Sequence, residues 1–196
     1  MKNIMICAAA AAATSVVAPA AASAQAVPAA VVAVVDLGRV TSDCTACKSA
    51  SAALRSQVTA LQGRERSLLA PLETEGKAIQ AAADALKGAQ PDAALQTRAR
   101  TFEQKRQQVA QQLQREQAQV ERNQAYIRQQ IATKLGPIYQ QVMQRRGANL
   151  LVETSTTLAT STSVDVTTDV LTALNSALPS VQTTAPAQAQ AQPQGR

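Results

Sequence analysis

Cys44 and Cys47, in Cys44-Thr45-Ala46-Cys47, are the pair in this chain whose type and spacing suit reactive chemistry. A C-x-x-C pair can lower a thiol's pKa and serve disulfide exchange. That function calls for a thioredoxin-like βαβ setting, which the flanking sequence does not supply. An interchain bond or a metal site would draw on the same two sulfurs. In an oxidising compartment the plainer outcome is a disulfide between them that clips a local turn. The closed loop is so short that its entropic contribution is small.

The other chemistry-bearing groups are charged. Arg98, Arg100, Lys105 and Arg106 are a candidate contact for an acidic partner. They also suit a plain solvated helix, in which Arg and Gln are good helix formers. Asp165 and Asp169 share a helix face, Asp165 as the expected cap and Asp169 in the first turn. There is no His and no Trp, and the aromatics are Phe102, Tyr126 and Tyr139. Without His the usual general base near neutral pH is missing, and so is the commonest metal ligand. No Gly-rich phosphate loop, nucleophile elbow or carboxylate cluster appears. The pattern calls for no enzyme, no cofactor and no metal.

These groups must be positioned by two long helices. From Lys48 to Arg146 the chain reads as an apolar-striped hairpin folded at Gly88-Ala89-Gln90-Pro91. Leu54, Val58, Leu61, Leu68, Leu72, Ile79 and Leu86 follow alternating four- and three-residue steps, the seam of a coiled coil. The return leg repeats the seam with Leu95, Phe102, Val109, Leu113, Val120, Ile127, Ile131, Ile138 and Val142. At about 1.5 Å per residue each leg is roughly 60–80 Å long. Gly63, Pro71 and Gly76 interrupt the outgoing leg and Gly136-Pro137 the return leg, read as bends or as tolerated irregularities. Val31 to Asp36 suits a buried strand, and Asn149 to Glu153 a second. Thr156 to Thr160 offers a third strand, and Val164 to Leu178 a closing helix. Its inner face would carry Val166, Val170, Leu171, Leu174 and Leu178.

The expected organisation is a leader over 1–24, then the first strand and crossover of a body over 25–47. A helical hairpin arm over 48–146 follows, and the remaining strands and closing helix occupy 147–178. An Ala/Gln-rich tail over 179–196 lacks a periodic apolar face and is expected to stay disordered. In the leader, Lys2 supplies a positive start, Ile4 to Val17 an apolar run, and Ala22-Ser23-Ala24 a small-x-small cleavage pattern. Ala24-Gln25-Ala26 is nearly as good, so the mature chain should begin at Gln25 or Val27. The leader's style is bacterial and its destination a periplasm; an uncleaved apolar helix is the alternative. The arms carry sixteen Lys or Arg against eight Asp or Glu, a net +8 within a chain of +6. The fold class is α+β, a small strand-built body carrying a long protruding coiled-coil hairpin. About fifty body residues are few for a self-sufficient core, so other copies of the chain should complete it.

The combination of leader, strand, basic hairpin, strand pair and closing helix resembles the Skp/OmpH family of periplasmic chaperones. The carrying segments are Ala33-Val34-Val35-Asp36-Leu37-Gly38, Leu150-Leu151-Val152-Glu153 and Val164-Asp165-Val166-Thr167-Thr168-Asp169-Val170-Leu171. The resemblance spans about Val31 to Asn175. It implies a homotrimer with a small central strand barrel, and three arms around a cavity that holds unfolded outer-membrane proteins without ATP. It also admits contact with anionic lipid or lipopolysaccharide. The family's proposed lipopolysaccharide cluster has no residue-by-residue match here. The Cys44/Cys47 pair and the extended tail depart from the family's best-known members. Two other classes fit parts of the pattern: an envelope spacer, and a histone-like nucleic-acid binder that the leader would carry away from nucleic acid.

Overall fold

Strand β1 (Val32–Val35) is a run of small and β-branched residues, and it pairs in parallel with β2 (Leu150–Glu153). The register sets Val32 against Leu150 and Val35 against Glu153. Parallel strands require a long crossover; here it is the entire helical hairpin. The computed structural model describes residues 28–186. The leader over 1–24, its cleavage positions and the tail beyond 186 lie outside the described residues. On β1's other flank, Asp165 forms a parallel bridge to Val34, and Val166 N donates to Val34 O at 2.8 Å. Asn149 fastens the strand's entrance: its Oδ1 accepts from Val31 N at 2.7 Å and its Nδ2 donates to Ala29 O at 2.8 Å.

Asp36 ends β1 and caps α1 (Leu37–Asp43), its Oδ1 accepting from Arg39 N at 2.7 Å. A break at Cys44 starts α2 (Thr45–Ala85). The exposed donors of that start are met in turn. Asn175 Oδ1 accepts from Thr45 N at 2.9 Å, Cys44 Sγ from Cys47 N at 3.2 Å, and Cys44 O from Lys48 N at 2.9 Å. The turn comes where Gly88, at φ 94°, takes a left-handed conformation that favours glycine. Asp92 then caps α3 (Ala93–Arg146), accepting from Leu95 N at 2.8 Å. Gly147, at φ 66°, closes α3, with Ala148 N donating to Met143 O at 2.9 Å in a Schellman arrangement.

Pro71 and Pro137 follow the reading as tolerated irregularities: each lies inside a continuous helix, where it removes one N–H donor. Other expectations change. Gly76 is explained by packing, since a Cβ there would lie 3.1 Å from Phe102 Cζ. The third strand over Thr156 to Thr160 does not form. A 3-10 turn at Thr154–Thr156 replaces its start, because Thr156 and Thr157 hydroxyls bond back to Glu153 O and Thr154 O. The tail is not featureless over 179–186: Gln182, Thr183 and Ala185 hydrogen-bond through their backbones to Gln57, Asn123 and Gln130 of the hairpin.

The closing helix, α4 (Thr167–Ala177), is shorter than expected by a turn, and Val166, Val170, Leu174 and Leu178 are its buried face. They pack with β1, Val40 of α1, Cys44 and Cys47, and Leu135, Ile138 and Val142 of α3. The last turns of α3 therefore belong to the body. Val166 is the N-cap residue and caps nothing with its side chain; Asp165, one position earlier, accepts from Thr167 N at 2.8 Å. Hydrogen bonds from the Thr167 hydroxyl and then its backbone hold the Asp165 carboxyl below the ordinary range.

Leu174→Ala should cost about 2–5 kcal/mol through the cavity it leaves. Leu158→Ala, at a fully exposed position, should change stability by less than about 0.5 kcal/mol. Urea melts followed by circular dichroism give both values; equal effects would contradict this core.

A depressed folded pKa contributes stability above the unfolded value of about 3.9, lost as pH falls through the folded value. Asp165→Ala should therefore destabilise at pH 6, and the gap from wild type should narrow towards pH 2. A gap independent of pH would remove the assigned role of the carboxylate.

Candidate functional site

Burial of the seam varies along the arm. Near the body Ile127, Leu135, Ile138 and Val142 are buried. Further out Leu61, Leu68, Leu72, Ile79, Leu95, Phe102, Val109 and Leu113 are only half-buried, and Val58 of the inner part is 38% exposed. Two helices cannot enclose a seam that a third element would normally cover, so part of the stripe remains in solvent. Leu69 and Leu72 line two shallow grooves in the outer arm. One, of about 410 Å³, is completed by Gly76, Phe102, Lys77 and Arg106. The other, of about 340 Å³, is completed by Val109, Leu113, Glu103 and Arg106. Both pair apolar floors with charged rims.

The four basic candidates do not form one patch. At 100° per residue Arg98 and Lys105 share a face, Arg106 lies about a quarter-turn away, and Arg100 projects towards the opposite side. Lys105 is paired with Glu75 of α2 at 3.0 Å, tying the legs together. Arg106 pairs with Glu103 at 3.0 Å and stands 6.0 Å from the Phe102 ring centroid. Arg98 and Arg100 have no carboxylate partner among the described residues. A second cross-leg pair joins Arg64 to Glu116 at 3.1 Å. A hydrogen bond from Gln112, more than Arg64, lowers the Glu116 pKa, and Lys77 lowers that of Glu73.

Cys44 and Cys47 are joined by a disulfide, with Cα atoms 5.1 Å apart and both residues buried. It sits where α1 gives way to α2, in the same core cluster as Leu135, Ile138 and Val170. Exchange requires an attacking thiolate to reach a sulfur, and this burial opposes it. Among the described residues no group of three or more His, Cys, Asp or Glu is placed to hold a metal. Asp169 is turned to Arg146, at 2.6 Å. That pair sets a cation at the C-terminus of α3 beside an anion at the N-terminus of α4, the favourable sign at both ends. Burial raises the Tyr139 pKa, and Glu153 adds to the effect.

A family described as "Outer membrane protein (OmpH-like)" matches residues 31–174, from β1 through most of α4. The chain belongs to the OmpH-like family. Among solved structures, this OmpH-like chain is similar to one from Caulobacter crescentus CB15, described as an outer membrane chaperone (OmpH-like). The TM-score is 0.66 at 20% identity, over 84% of this chain and 96% of that one. At that identity the likeness establishes the fold. No curated relative matches. The polar groups that sequence reasoning missed are Gln57, Asn123 and Gln130, side-chain amides whose role shows only once the hairpin closes, when Asn123 bonds Gln57 and all three bond residues 182–185.

The cysteine pair should be oxidised in the purified protein. Alkylation under denaturing, non-reducing conditions, read by mass spectrometry, should label neither Cys44 nor Cys47 until a reductant is added. Two free thiols, or covalent dimers on a non-reducing gel, would reject the intrachain bond.

Proposed function

We propose that this chain is an ATP-independent periplasmic holdase that binds unfolded outer-membrane proteins and prevents their aggregation in transit. The observation that carries the reading is the arm's half-covered apolar stripe, bordered by cations that outnumber the carboxylates. An unfolded β-barrel chain exposes alternating apolar residues and unpaired backbone, and aggregates through both. Such a client has no fixed shape. Many weak contacts along a rod suit it better than one deep pocket. The described helices include none long and apolar enough to cross a membrane, which is compatible with work between two membranes. Membership in the OmpH-like family and the likeness to a structure described as a chaperone support the same reading.

The working unit in this proposal is a homotrimer. A two-stranded sheet is marginal alone, and among the described residues nothing pairs with the outer edge of β2. Beside that edge lies an open groove of about 390 Å³, with Leu37, Tyr139, Met143, Leu150 and Val152 among its lining residues. Strands from other copies would complete both. Three arms around a shared cavity then enclose a client and separate it from its neighbours. The net positive charge also fits an anionic lipid or lipopolysaccharide surface as a secondary contact.

Purified protein, without nucleotide, should keep an outer-membrane β-barrel protein diluted from urea free of light scattering. Equal turbidity with and without excess protein would defeat the holdase reading and favour a passive spacer. Raising salt from about 50 to 500 mM should slow capture more than it speeds release, because the Debye length shrinks severalfold. Reversing Arg98 and Arg100 to Glu should slow capture of acidic clients while assembly persists. The Lys105 and Arg106 reversals should in addition loosen the arm, since Lys105 already holds Glu75. Capture rates unaffected by salt and by these changes would remove the electrostatic component.

A further inference from the structure

Residues 181–186 lie along the inner part of the hairpin outside any helix or strand, with a bend at Thr184 and with alternating burial. Val181, Thr183 and Ala185 are half-buried, while Gln182, Thr184 and Pro186 are exposed. The hairpin holds this segment with side-chain amides. Gln130 binds Gln182 twice, its Nε2 donating to the backbone O at 2.9 Å and its Oε1 accepting from the backbone N at 3.0 Å. Gln57 Nε2 donates to Thr183 O at 3.1 Å, and Asn123 Oδ1 accepts from Ala185 N at 2.8 Å. Each of these bonds uses the backbone of residues 181–186, a strap across the hairpin, and none uses their side chains. The double bond from Gln130 copies what a neighbouring β-strand offers.

The receiving strip is built. Asn123 is 4% exposed, the most buried polar side chain of the arm, and its Nδ2 donates to Gln57 Oε1 at 2.8 Å. Gln119 Nε2 donates to Asn123 Oδ1 at 2.8 Å, and Arg122 Nη2 bonds Gln119 Oε1. In this same cluster Arg122 Nε is buried and has no partner among the described residues. Strap departure leaves Gln57 and Gln130 without those partners and Asn123 with one donor fewer, so the strip favours another backbone in its place.

We propose that Gln57, Asn123 and Gln130 form a binding site for polypeptide backbone, held by residues 181–185 of this chain until an unfolded client segment displaces them. The inference rests on the holdase reading for its physiological ligand. A membrane β-strand alternates apolar and polar residues, and the strip accepts that period-two pattern with no demand on sequence. The strap is thus a resident competitor. It keeps the strip covered when no client is present and lowers apparent affinity by the fraction of time it is bound.

Hydrogen exchange on the full chain tests this, with a urea-diluted outer-membrane β-barrel protein as probe. The Gln182 and Ala185 amides should be protected in the free protein and lose that protection in the client complex. Unchanged protection in a complex that demonstrably holds the client overturns the proposal and leaves the holdase reading standing. The double variant Gln182→Pro, Ala185→Pro removes both strap donors in the full chain. It should bind the client about tenfold more tightly if the strap covers the strip about nine-tenths of the time. Affinity equal to or weaker than wild type overturns the proposal. If no client is held at all, a fluorescent peptide of residues 179–186 added to the proline variant decides the matter. Binding that Gln130→Ala abolishes upholds the strip as a backbone site without the holdase, and no binding overturns it.

Discussion

Strand β1 is the constraint on which the rest of this molecule depends. Four residues carry a parallel partner on one flank and the Asp165–Val166 backbone on the other, and Ala33, Val34 and Val35 are buried. A buried strand must have its backbone groups met, and here the partners come from the far end of the chain. The root of each leg is set by that pairing. Asp36 turns the chain from β1 into α1, and the α1–α2 break is fixed by Cys44 and by Asn175 of α4. Val142, on the last turns of α3, is fully buried beside α4. Helices of 41 and 54 residues are therefore held by a core confined to one end.

Away from that end the forces change. The outer hairpin has no layer to pack against, so its cohesion comes from a half-buried stripe, from Phe102 over Gly76, and from exposed cross-leg ion pairs. Exposed pairs contribute little each, about 0–1 kcal/mol. Cohesion of this kind allows the legs to shift without unfolding the body. Stability and adaptability are separated along the rod.

Features written in period were legible in the sequence. The reversal at Gly88 to Pro91, the two legs, the facing seams and the inward positions of α4 all follow from spacing alone. The features that were not legible depend on partners distant in sequence or on competition with local bonds. Gly76 looks like a helix breaker until Phe102 is set against it. Thr156 and Thr157 have strand propensity, yet their hydroxyls find acceptors three residues back and tighten the chain into a turn. Pro71 and Pro137 are carried by helices long enough to spare a bond. The strap could not be read because its apolar content is slight and its binding uses backbone. The charged cluster was legible as charge but not as geometry, since a helix distributes Arg98, Arg100, Lys105 and Arg106 around its circumference.

The register of β1 with β2 also bears on how the molecule closes. Val31 and Asn149, which hydrogen-bond at the strand entrance, are 118 residues apart. Joining such ends in an open coil carries an entropic penalty that grows with the logarithm of the intervening length, and contacts this remote slow folding. The helical legs alter that geometry. Once the turn at Gly88 has formed and the legs align from it towards their roots, each successive pairing brings the next within reach. The strand partners are then separated by a few residues of effective chain. The rod's length, which sets its reach into solvent, is on this view compatible with a remote contact because pairing can advance along it by local steps.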